Sequence, residues 1–323
     1  MKKISEYKIS ESYAIVKNSV ESYRSLAELN GFLKSKSLET LASEFTNAYA
    51  LEIKYALEIE NNWISPLRLF ETLSLNKKSN DRNLHILKLC LEHFRQFPLL
   101  NSISLQPILL NEFGKKLKPH EELTILTFKK EFNLYLSEND TEDGLLQAIL
   151  LFGYVLHFKP FQIANQYSAM YVFLSILKEK KILNLPILPL VQYIKQDFKT
   201  VNDLLFDAFE YKNTQPWVIF MQNLIYTTSQ FKLNQLLQIE SLKKATIDQL
   251  AKYPHINLPV SPLTDILFSH IYIKATYLIE TLNCHRQTAY AYLNHLQQMG
   301  ILIEKKVGRE KLYLHKRYMD LIL

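Results

Sequence analysis

The stretch best placed to bind an anion runs from Gly153 to Leu177. An apolar run, Leu145 to Leu156, predicts a buried helix because it is too long and too poor in β-branched residues for a strand. Pro160 ends that helix, and after a short loop carrying Asn165 a second apolar helix is predicted from near Gln166 to Leu177. The loop aims backbone N–H groups at the start of the second helix, where unpaired donors favour an anion.

Two side chains near this loop have the chemistry for phosphate binding or catalysis. Lys159, directly before Pro160, could anchor a phosphate, or could equally be a surface lysine at a helix end, where the dipole favours a cation. His157 could act as a general base, but its place at the end of an apolar helix favours a core or interfacial histidine. The acidic run Glu138–Asp143 has no ligand spacing, so we expect a solvated face and no metal site.

The pattern of helix, loop and helix resembles the Fic (filamentation induced by cAMP) family, whose signature is HPFx(D/E)GNGRxxR. Pro160, Phe161 and Asn165 match that signature. The chain differs at the other positions: Lys159 stands at the His, Ile163 at the acid, Ala164 and Gln166 at the two Gly, and Tyr167 and Met170 at the two Arg. Similarity extends over most of the chain, from LAELNG at residues 26–31 to WVIF at residues 217–220. The resemblance implies a mostly α fold, a Fic-type helical bundle with an N-terminal helical extension.

Fic proteins transfer AMP from ATP to a protein hydroxyl, with a His base, an acid that holds Mg²⁺, a Gly-Asn-Gly backbone around the phosphates and an Arg on the γ-phosphate. Here Lys159, if exposed, is protonated at neutral pH and cannot accept a proton. Ile163 cannot ligate a hard cation, and Tyr167 and Met170 carry no positive charge for a triphosphate. The resemblance therefore implies a degenerate active site and a pseudoenzyme of bacterial origin rather than a competent AMP transferase.

Two ligand and activity questions stay open at this point. The pocket could still hold ATP or another nucleotide through Lys159 and Asn165, with Mg²⁺ weak or absent. The alternative function is a divergent protein adenylyltransferase, or another nucleotidyl or phosphoryl transferase, which would use these two residues and His157 in altered roles.

A second similarity to Fic proteins lies at residues 56–61, ALEIEN, which is close to their inhibitory helix motif (S/T)xxxE(G/N). Glu60 and Asn61 match that motif, while Ala56 stands where Ser or Thr is expected. In the family this Glu pairs with the second Arg of the signature, and Met170 holds that position here. We therefore expect Glu60 to be solvated or to be satisfied by another partner.

Composition indicates an ordinary globular protein. The chain has 323 residues, of which 48% are apolar and 22% charged. It contains only six Gly, and this low number favours helices. Neither a signal peptide nor an uncharged apolar run of roughly 20 residues is found, so we expect a cytoplasmic protein with no membrane segment. Cys90 and Cys284 lie far apart without metal-like spacing and are expected to be free thiols.

The expected domains follow one another along the chain. Four parts are predicted: an N-terminal helical region at residues 1–98, a Fic-like core at 99–252, a proline-rich linker at 253–262 and a winged helix-turn-helix domain at 263–323. Within the core, helices are predicted from Val191 to Asp207 and from Trp217 to Lys243. Residues 101–137 are expected to be helical, without the β-hairpin flap that docks the target segment in active relatives.

The C-terminal segment resembles a winged helix-turn-helix domain. Three short helices are predicted at residues 263–268, 274–282 and 286–299, followed by a hairpin with strands at 301–303 and 311–314. Gly300 is expected to end the third helix. This order of helices and a basic hairpin implies a small α/β domain that binds duplex DNA, a protein partner or a second copy of the chain.

The third helix and the hairpin supply the expected binding residues of this domain. Ala289, Leu293, Leu296 and Met299 are expected to be buried. The opposite side would meet base edges with His285, Arg286, Gln287, Tyr290 and Asn294, and the hairpin would meet phosphates with Lys305, Lys306, Arg309 and Lys311. Residues 269–323 carry eight Lys or Arg against four Asp or Glu, which is +4 of the net +6 and favours DNA.

Overall fold

The computed structural model describes residues 3–10, 12–36, 38–75, 81–95, 119–138, 143–161, 164–252, 259–307 and 310–323. The chain forms two compact units, one of residues 1–33, 49–64 and 79–230 and one of residues 34–48, 65–78 and 231–323. The domain limits given above stay predictions. The region expected to lack the flap, up to residue 118, and most of the predicted linker, residues 253–258, lie outside the described residues.

Most of the described chain is helical, and a small sheet lies near its C-terminus, which confirms the predicted fold class. A 3₁₀ helix, Ile4–Glu6, comes first. None of the described helices is both long and apolar enough to cross a membrane. The elements that follow are α1 (Tyr13–Lys34), α2 (Leu38–Ile59), α3 (Pro66–Leu75), α4 (Arg82–Arg95), α5 (Pro119–Glu138), α6 (Gly144–Phe158), α7 (Asn165–Glu179), α8 (Leu190–Gln196), α9 (Phe198–Glu210), α10 (Gln215–Ala251), α11 (Val260–Ser269), β1 (Tyr272–Ile273), α12 (Ala275–Leu282), α13 (Arg286–Gln298), β2 (Ile303–Val307), β3 (Glu310–Leu314) and α14 (Lys316–Ile322).

Helices α6 and α7 form the centre of the first unit. Every residue of α7 from Asn165 to Leu177 is buried, and so are Leu145 and residues 147–156 of α6. A helix that is apolar on all sides must be surrounded by other elements, so burial of this pair follows from its composition. Asp143 starts α6 by accepting hydrogen bonds from the N–H groups of Leu145 and Leu146 at 2.8 and 3.1 Å. The two buried helices predicted from the sequence are confirmed.

Gly153 lets α10 approach α6 closely. The indole of Trp217 stacks on Phe152, with ring centroids 6.2 Å apart, and its Nε1 donates to the carbonyl of Ile149 at 3.2 Å. A Cβ at position 153 would lie 2.6 Å from that Nε1 and 2.9 Å from a ring carbon of Phe209. Any side chain here would therefore push two large buried rings apart.

The Gly153→Ala substitution is expected to lower the free energy of unfolding by about 1–2 kcal/mol, because overpacking exceeds the gain in helix propensity. Urea denaturation measures this loss. In a Trp217→Phe background, where the smaller ring gives room, the same substitution should cost less, which a double-mutant cycle quantifies. An equal loss in both backgrounds would contradict the assignment of the close contact to Trp217.

The prediction of one helix from Val191 to Asp207 is wrong. The structure has two helices there, because Asp197 ends α8 and its carboxylate accepts the N–H of Thr200 at 3.3 Å, which starts α9. A side-chain acceptor competes with the helical backbone at such a position. The helix predicted from Trp217 to Lys243 is longer than expected and runs as α10 from Gln215 to Ala251.

The C-terminal part contains the predicted three helices followed by a hairpin. Its sheet has the order β1-β3-β2, with both pairs antiparallel; Tyr313 pairs with Ile273 on one side and with Glu304 on the other. Gly300 follows α13 with φ at +69°, as expected of a residue that ends a helix. The two-residue strand β1 and the last helix, α14, were not predicted.

Two details of this part differ from the prediction. The first hairpin strand begins at Ile303 rather than Ile301, because Ile301 and Leu302 are buried in the turn that closes α13, where both N–H groups donate to the carbonyl of Leu296. Met299 is only half-buried, so the buried stripe of α13 consists of Ala289, Leu293 and Leu296.

Candidate functional site

The loop between α6 and α7 is closed by one asparagine. Lys159 takes a left-handed conformation, with φ at 44°, and ends α6, its N–H donating to the carbonyl of Val155. The buried Asn165 accepts the N–H of Phe161 at 2.9 Å and donates to the carbonyl of Phe161 at 2.8 Å. These two bonds join Phe161 to the first turn of α7, so Asn165 has a structural role here.

The start of α7 is an anion site, and a carboxylate of the same chain lies in it. The N–H of Ala164 donates to Glu60 Oε2 at 2.6 Å, and the N–H of Gln166 donates to Glu60 Oε1 at 2.9 Å. Ala164 is also left-handed, with φ at 59°, which turns its N–H toward the same place. The sequence predicted an anion at this helix start and left Glu60 either solvated or satisfied by another partner. In the structure the second alternative holds, and the helix start is the partner of Glu60.

The surroundings of Glu60 act on the pKa of its carboxyl in opposite directions. Burial raises the pKa of its carboxyl, while the N–H groups of Gln166, Ala164 and Asn165 and the charge of Lys159 act in the opposite direction. Lys159 itself is exposed. A phosphate at this helix start would have to displace a carboxylate that already uses both of its oxygens.

The other signature positions have no free charge to offer. Tyr167 is buried, with its hydroxyl 2.6 Å from His93 Nδ1 and 3.2 Å from the carbonyl of Cys90, to which it donates. Burial lowers the pKa of His93 to about 4, so this imidazole is neutral at physiological pH. Met170 is also buried, and Ile163 lies outside the described residues.

His157 makes the contacts of an interfacial histidine. Its Nε2 lies 2.9 Å from Glu210 Oε1, and its ring stacks on Phe209 with centroids 5.4 Å apart. These contacts belong to the interface between α6 and α9. In the described part of the chain, no three His, Cys, Asp or Glu side chains are grouped so as to hold a metal. Most of the acidic run, residues 139–142, lies outside it.

The end of α2 carries two further buried carboxylates that were not singled out from the sequence. Glu52 accepts the N–H groups of Val191 and Gln192 at 2.7 and 3.2 Å, in the first turn of α8. Glu58 accepts from Lys54 at 2.8 Å and from Lys195 at 2.7 Å. The available signal was the presence of charged residues within an otherwise apolar run, LEIKYALEIE at residues 51–60. Together with Glu60, these carboxylates fix the end of α2 to α7 and α8.

Magnesium and ATP do not fit this site as it stands. The N–H groups that would receive a phosphate are bonded to Glu60, and the sequence places Ile163 where a hard cation would need an oxygen ligand. The two carboxylate oxygens of Glu60 accept N–H groups at the start of α7 and are not turned toward a cation. The described residues of this loop can therefore hold an anion but lack the donor set for a metal–triphosphate complex.

The predicted binding residues of the C-terminal part lie on α13 and on the β2–β3 hairpin. His285, Arg286, Gln287 and Asn294 are exposed, and Tyr290 is half-buried with the guanidinium of Arg286 over its ring at 5.6 Å. On the hairpin Lys306 is exposed, while Arg309 lies outside the described residues.

Two of the hairpin lysines are held by carboxylates of the chain. Lys305 binds Glu71 on α3 and lies 3.4 Å from the hydroxyl of Tyr272. Lys311 pairs with Glu304 across the hairpin at 2.9 Å. Neither ammonium is free to the extent that the sequence suggested.

Comparison with known proteins supports the Fic resemblance. Residues 242–318 match the family model described as the C-terminal domain of SoFic-like protein adenylyltransferases. The chain is also similar to the crystal structure of a Fic family protein from Desulfovibrio desulfuricans G20, with a TM-score of 0.56 over 95% of this chain and 97% of that one, at 15% sequence identity. The chain therefore has the Fic fold, and its C-terminal segment is similar to the SoFic-like C-terminal domain.

Proposed function

We propose that this protein is a Fic-fold regulator that does not transfer AMP and that acts by binding duplex DNA through its C-terminal domain. The contact of Glu60 with the start of α7 supports the first half of this proposal, because the N–H groups that would donate hydrogen bonds to a phosphate are already bonded within the chain. The chemistry at the signature positions supports it too, since Lys159, Tyr167 and Met170 supply neither a base nor a charge for a triphosphate.

The DNA proposal rests mainly on the exposed first half of α13. Helix α13 presents Arg286 and Gln287 in its first turn and Asn294 further along, all three exposed to solvent. Arginine, glutamine and asparagine are the side chains that make bidentate contacts to guanine and adenine edges in the major groove. No Asp or Glu occurs between Arg286 and Gln298, so nothing on this helix repels phosphates.

The hairpin would position the protein by contacting the DNA backbone. Lys306 is exposed, whereas Lys305 and Lys311 are paired with Glu71 and Glu304. We therefore assign the main phosphate contact of the described hairpin to Lys306, and a weaker one to its paired neighbours. A contact between a lysine and the DNA phosphates adds affinity without sequence preference.

Fluorescence anisotropy with labelled duplexes of mixed sequence tests the proposal. We expect binding that weakens steeply with salt. Arg286→Ala should reduce affinity for the preferred duplex by about 5- to 150-fold and relax its sequence preference, whereas Lys306→Ala should weaken binding to all duplexes and lower the salt slope by about one. Arg82→Ala and Lys199→Ala, at exposed helix positions of the first unit, are the matched controls.

The absence of binding at low salt would refute the DNA half of the proposal and direct attention to a protein partner for α13. Equal losses in the control variants would show a non-specific effect of net charge. AMP transfer is tested separately, by incubating the protein with radiolabelled Mg-ATP and a cell lysate. Labelling that disappears in Lys159→Ala would overturn the first half and favour the divergent transferase.

A further inference from the structure

The outer face of α1 is unusually apolar. The inner face of this helix is buried through Ile15, Leu26 and Leu29, as expected of an amphipathic helix, whose other side is normally polar. Here, however, Tyr13 is 86% exposed, and the exposed fractions of Val16 and Val20 are 50% and 64%. Three large apolar side chains at spacings of three and four therefore share one solvent-facing stripe.

The stripe continues along α1 with small residues. Ala27 and Gly31 lie on the same side of the helix, seven and eleven residues after Val20, and both are exposed. A Cβ at Gly31 would meet no atom within 4 Å, so the space above it is open. The outer face thus has a bulky N-terminal half and a flat C-terminal half, with Arg24 between them.

Charges of alternating sign flank the stripe on one side. They are Lys17, Glu21, Arg24 and Glu28 in chain order. Within the helix, Lys17 pairs with Glu21 at 3.9 Å and Arg24 with Glu28 at 3.3 Å, and all four side chains are 43–82% exposed. This order reads +−+− forward and −+−+ backward, so the flank is complementary to itself when it is reversed.

We infer that α1 is a dimerisation helix that pairs antiparallel with α1 of a second copy of this chain, about a two-fold axis near residue 22. In an antiparallel helix pair the same flank of both helices meets across the seam, which opposes Lys17 to Glu28 of the partner subunit and Glu21 to Arg24 of the partner subunit. The same register sets Tyr13 over Gly31 of the partner subunit and Val16 over Ala27 of the partner subunit. Such an interface is isologous, as expected of a two-fold dimer.

A parallel pair does not fit these residues. It would bring the charged flank of one helix against the other flank of its partner, where Ser19 and Tyr23 stand. Tyr23 donates its hydroxyl to Asp143 at 2.8 Å and is already engaged within the chain. A parallel pair would also place the bulky halves of both stripes together. The order of charges on the flank and the sizes of the side chains in the stripe therefore both favour the antiparallel arrangement.

A charge-swap series measured by sedimentation equilibrium tests this inference on the full chain. Lys17→Glu and Glu28→Lys should each weaken the dimer about tenfold, because each turns two symmetry-related attractive pairs into repulsive ones. The double variant should restore the dissociation constant of the wild type to within about threefold. Within each helix of the double variant, positions 17 and 21 are both acidic and positions 24 and 28 are both basic, so these pairs stay repulsive and rescue can only come from pairs between subunits.

Gly31→Leu supplies a second, independent measurement. The new side chain enters open space in the single chain, so circular dichroism should show an unchanged helical fold, while the dimer should weaken at least tenfold because Leu occupies the place of the partner's Tyr13. A chain that stays monomeric at the highest concentrations, or a dimer unaffected by both Lys17→Glu and Gly31→Leu, would overturn the inference. None of these measurements involves DNA, so their outcome is separate from that of the proposed function.

Discussion

The Glu60→Ala variant is expected to lose about 2–3 kcal/mol of unfolding free energy, because two backbone hydrogen bonds to a charged group are worth about 1.5–3 kcal/mol each and relief from burying the charge offsets part of the loss. The bonds in question run from the N–H groups of Ala164 and Gln166 to the two carboxylate oxygens. Without the carboxylate, these two N–H groups lose their acceptor. Urea denaturation at neutral pH measures the change.

The same variant is expected to gain an anion site. Its N–H groups at the start of α7 are then open to a small anion, and the charge of Lys159, which acts on Glu60 in the wild type, favours one. Inorganic phosphate should raise the unfolding free energy of Glu60→Ala by about 1.4 kcal/mol at ten times its dissociation constant. The wild-type protein should show no such gain, because its own carboxylate occupies the site.

The pH dependence of stability gives a further check on Glu60. Burial raises the pKa of its carboxyl, so between the ordinary and the raised pKa the folded protein holds a proton that the unfolded chain releases. Protonation of this carboxyl therefore adds stability beyond that of the hydrogen bonds present at neutral pH, and this added part is full below the ordinary pKa and is lost as the pH rises through the raised value. The wild type should therefore gain stability relative to Glu60→Gln as the pH is lowered from neutral toward the ordinary pKa of a glutamate.

Glu92→Ala, at an exposed position of α4, is the matched control and should change neither stability nor phosphate binding by a measurable amount. If Glu60→Ala were as stable as the wild type and phosphate had the same effect on both, the carboxylate would have no special role at the start of α7. Phosphate binding by the wild type itself would reopen the question of a nucleotide in this loop.

The central helix pair and its loop were predictable because their signals are local. An apolar run interrupted by Pro160 specifies two buried helices, and a helix start specifies an anion site whatever its ligand is. The occupant could not be assigned in the same way. Glu60 lies 104 residues from Ala164, and the charged partner that would have indicated the contact is replaced by Met170. A long-range contact between a carboxylate and backbone N–H groups leaves no pattern in the sequence.

Other differences follow from the same distinction between local and long-range signals. Helix α8 ends at Asp197 because the side-chain carboxylate, rather than a main-chain carbonyl, accepts the N–H of Thr200. An apolar pattern does not reveal this competition between acceptors. The pairing of Lys305 with Glu71 joins residues 234 apart in the chain. The sequence did not indicate this pairing, so it predicted a hairpin with more unpaired basic side chains than the structure has. By contrast, Gly300 marked the end of α13 correctly, because a positive φ at a helix end has a local sequence signal.

The Glu58→Ala variant is expected to show a larger loss of stability, about 3–5 kcal/mol, because it leaves a buried charge without its partner. Lys54 and Glu58 are each only 4% exposed at the side chain and lie 2.8 Å apart, and Lys195 reaches the second carboxylate oxygen of Glu58. Burial lowers the pKa of Lys54, and the hydrogen bond with Glu58 opposes that shift. Once the carboxylate is removed, burial of the ammonium is no longer compensated.

Two comparisons separate this effect from a simple loss of packing. The deficit of Glu58→Ala should shrink as the pH is raised toward the ordinary pKa of a lysine, because burial lowers the pKa of Lys54 and the buried ammonium loses its proton before an exposed lysine does, whereas a cavity would cost the same at every pH. The double variant Lys54→Met with Glu58→Leu should recover most of the stability, because an apolar pair of similar volume can replace a buried ion pair, and the half-exposed Lys195 can turn to water. A deficit that does not change with pH, or a double variant as unstable as Glu58→Ala, would show that packing and not charge fixes this end of α2.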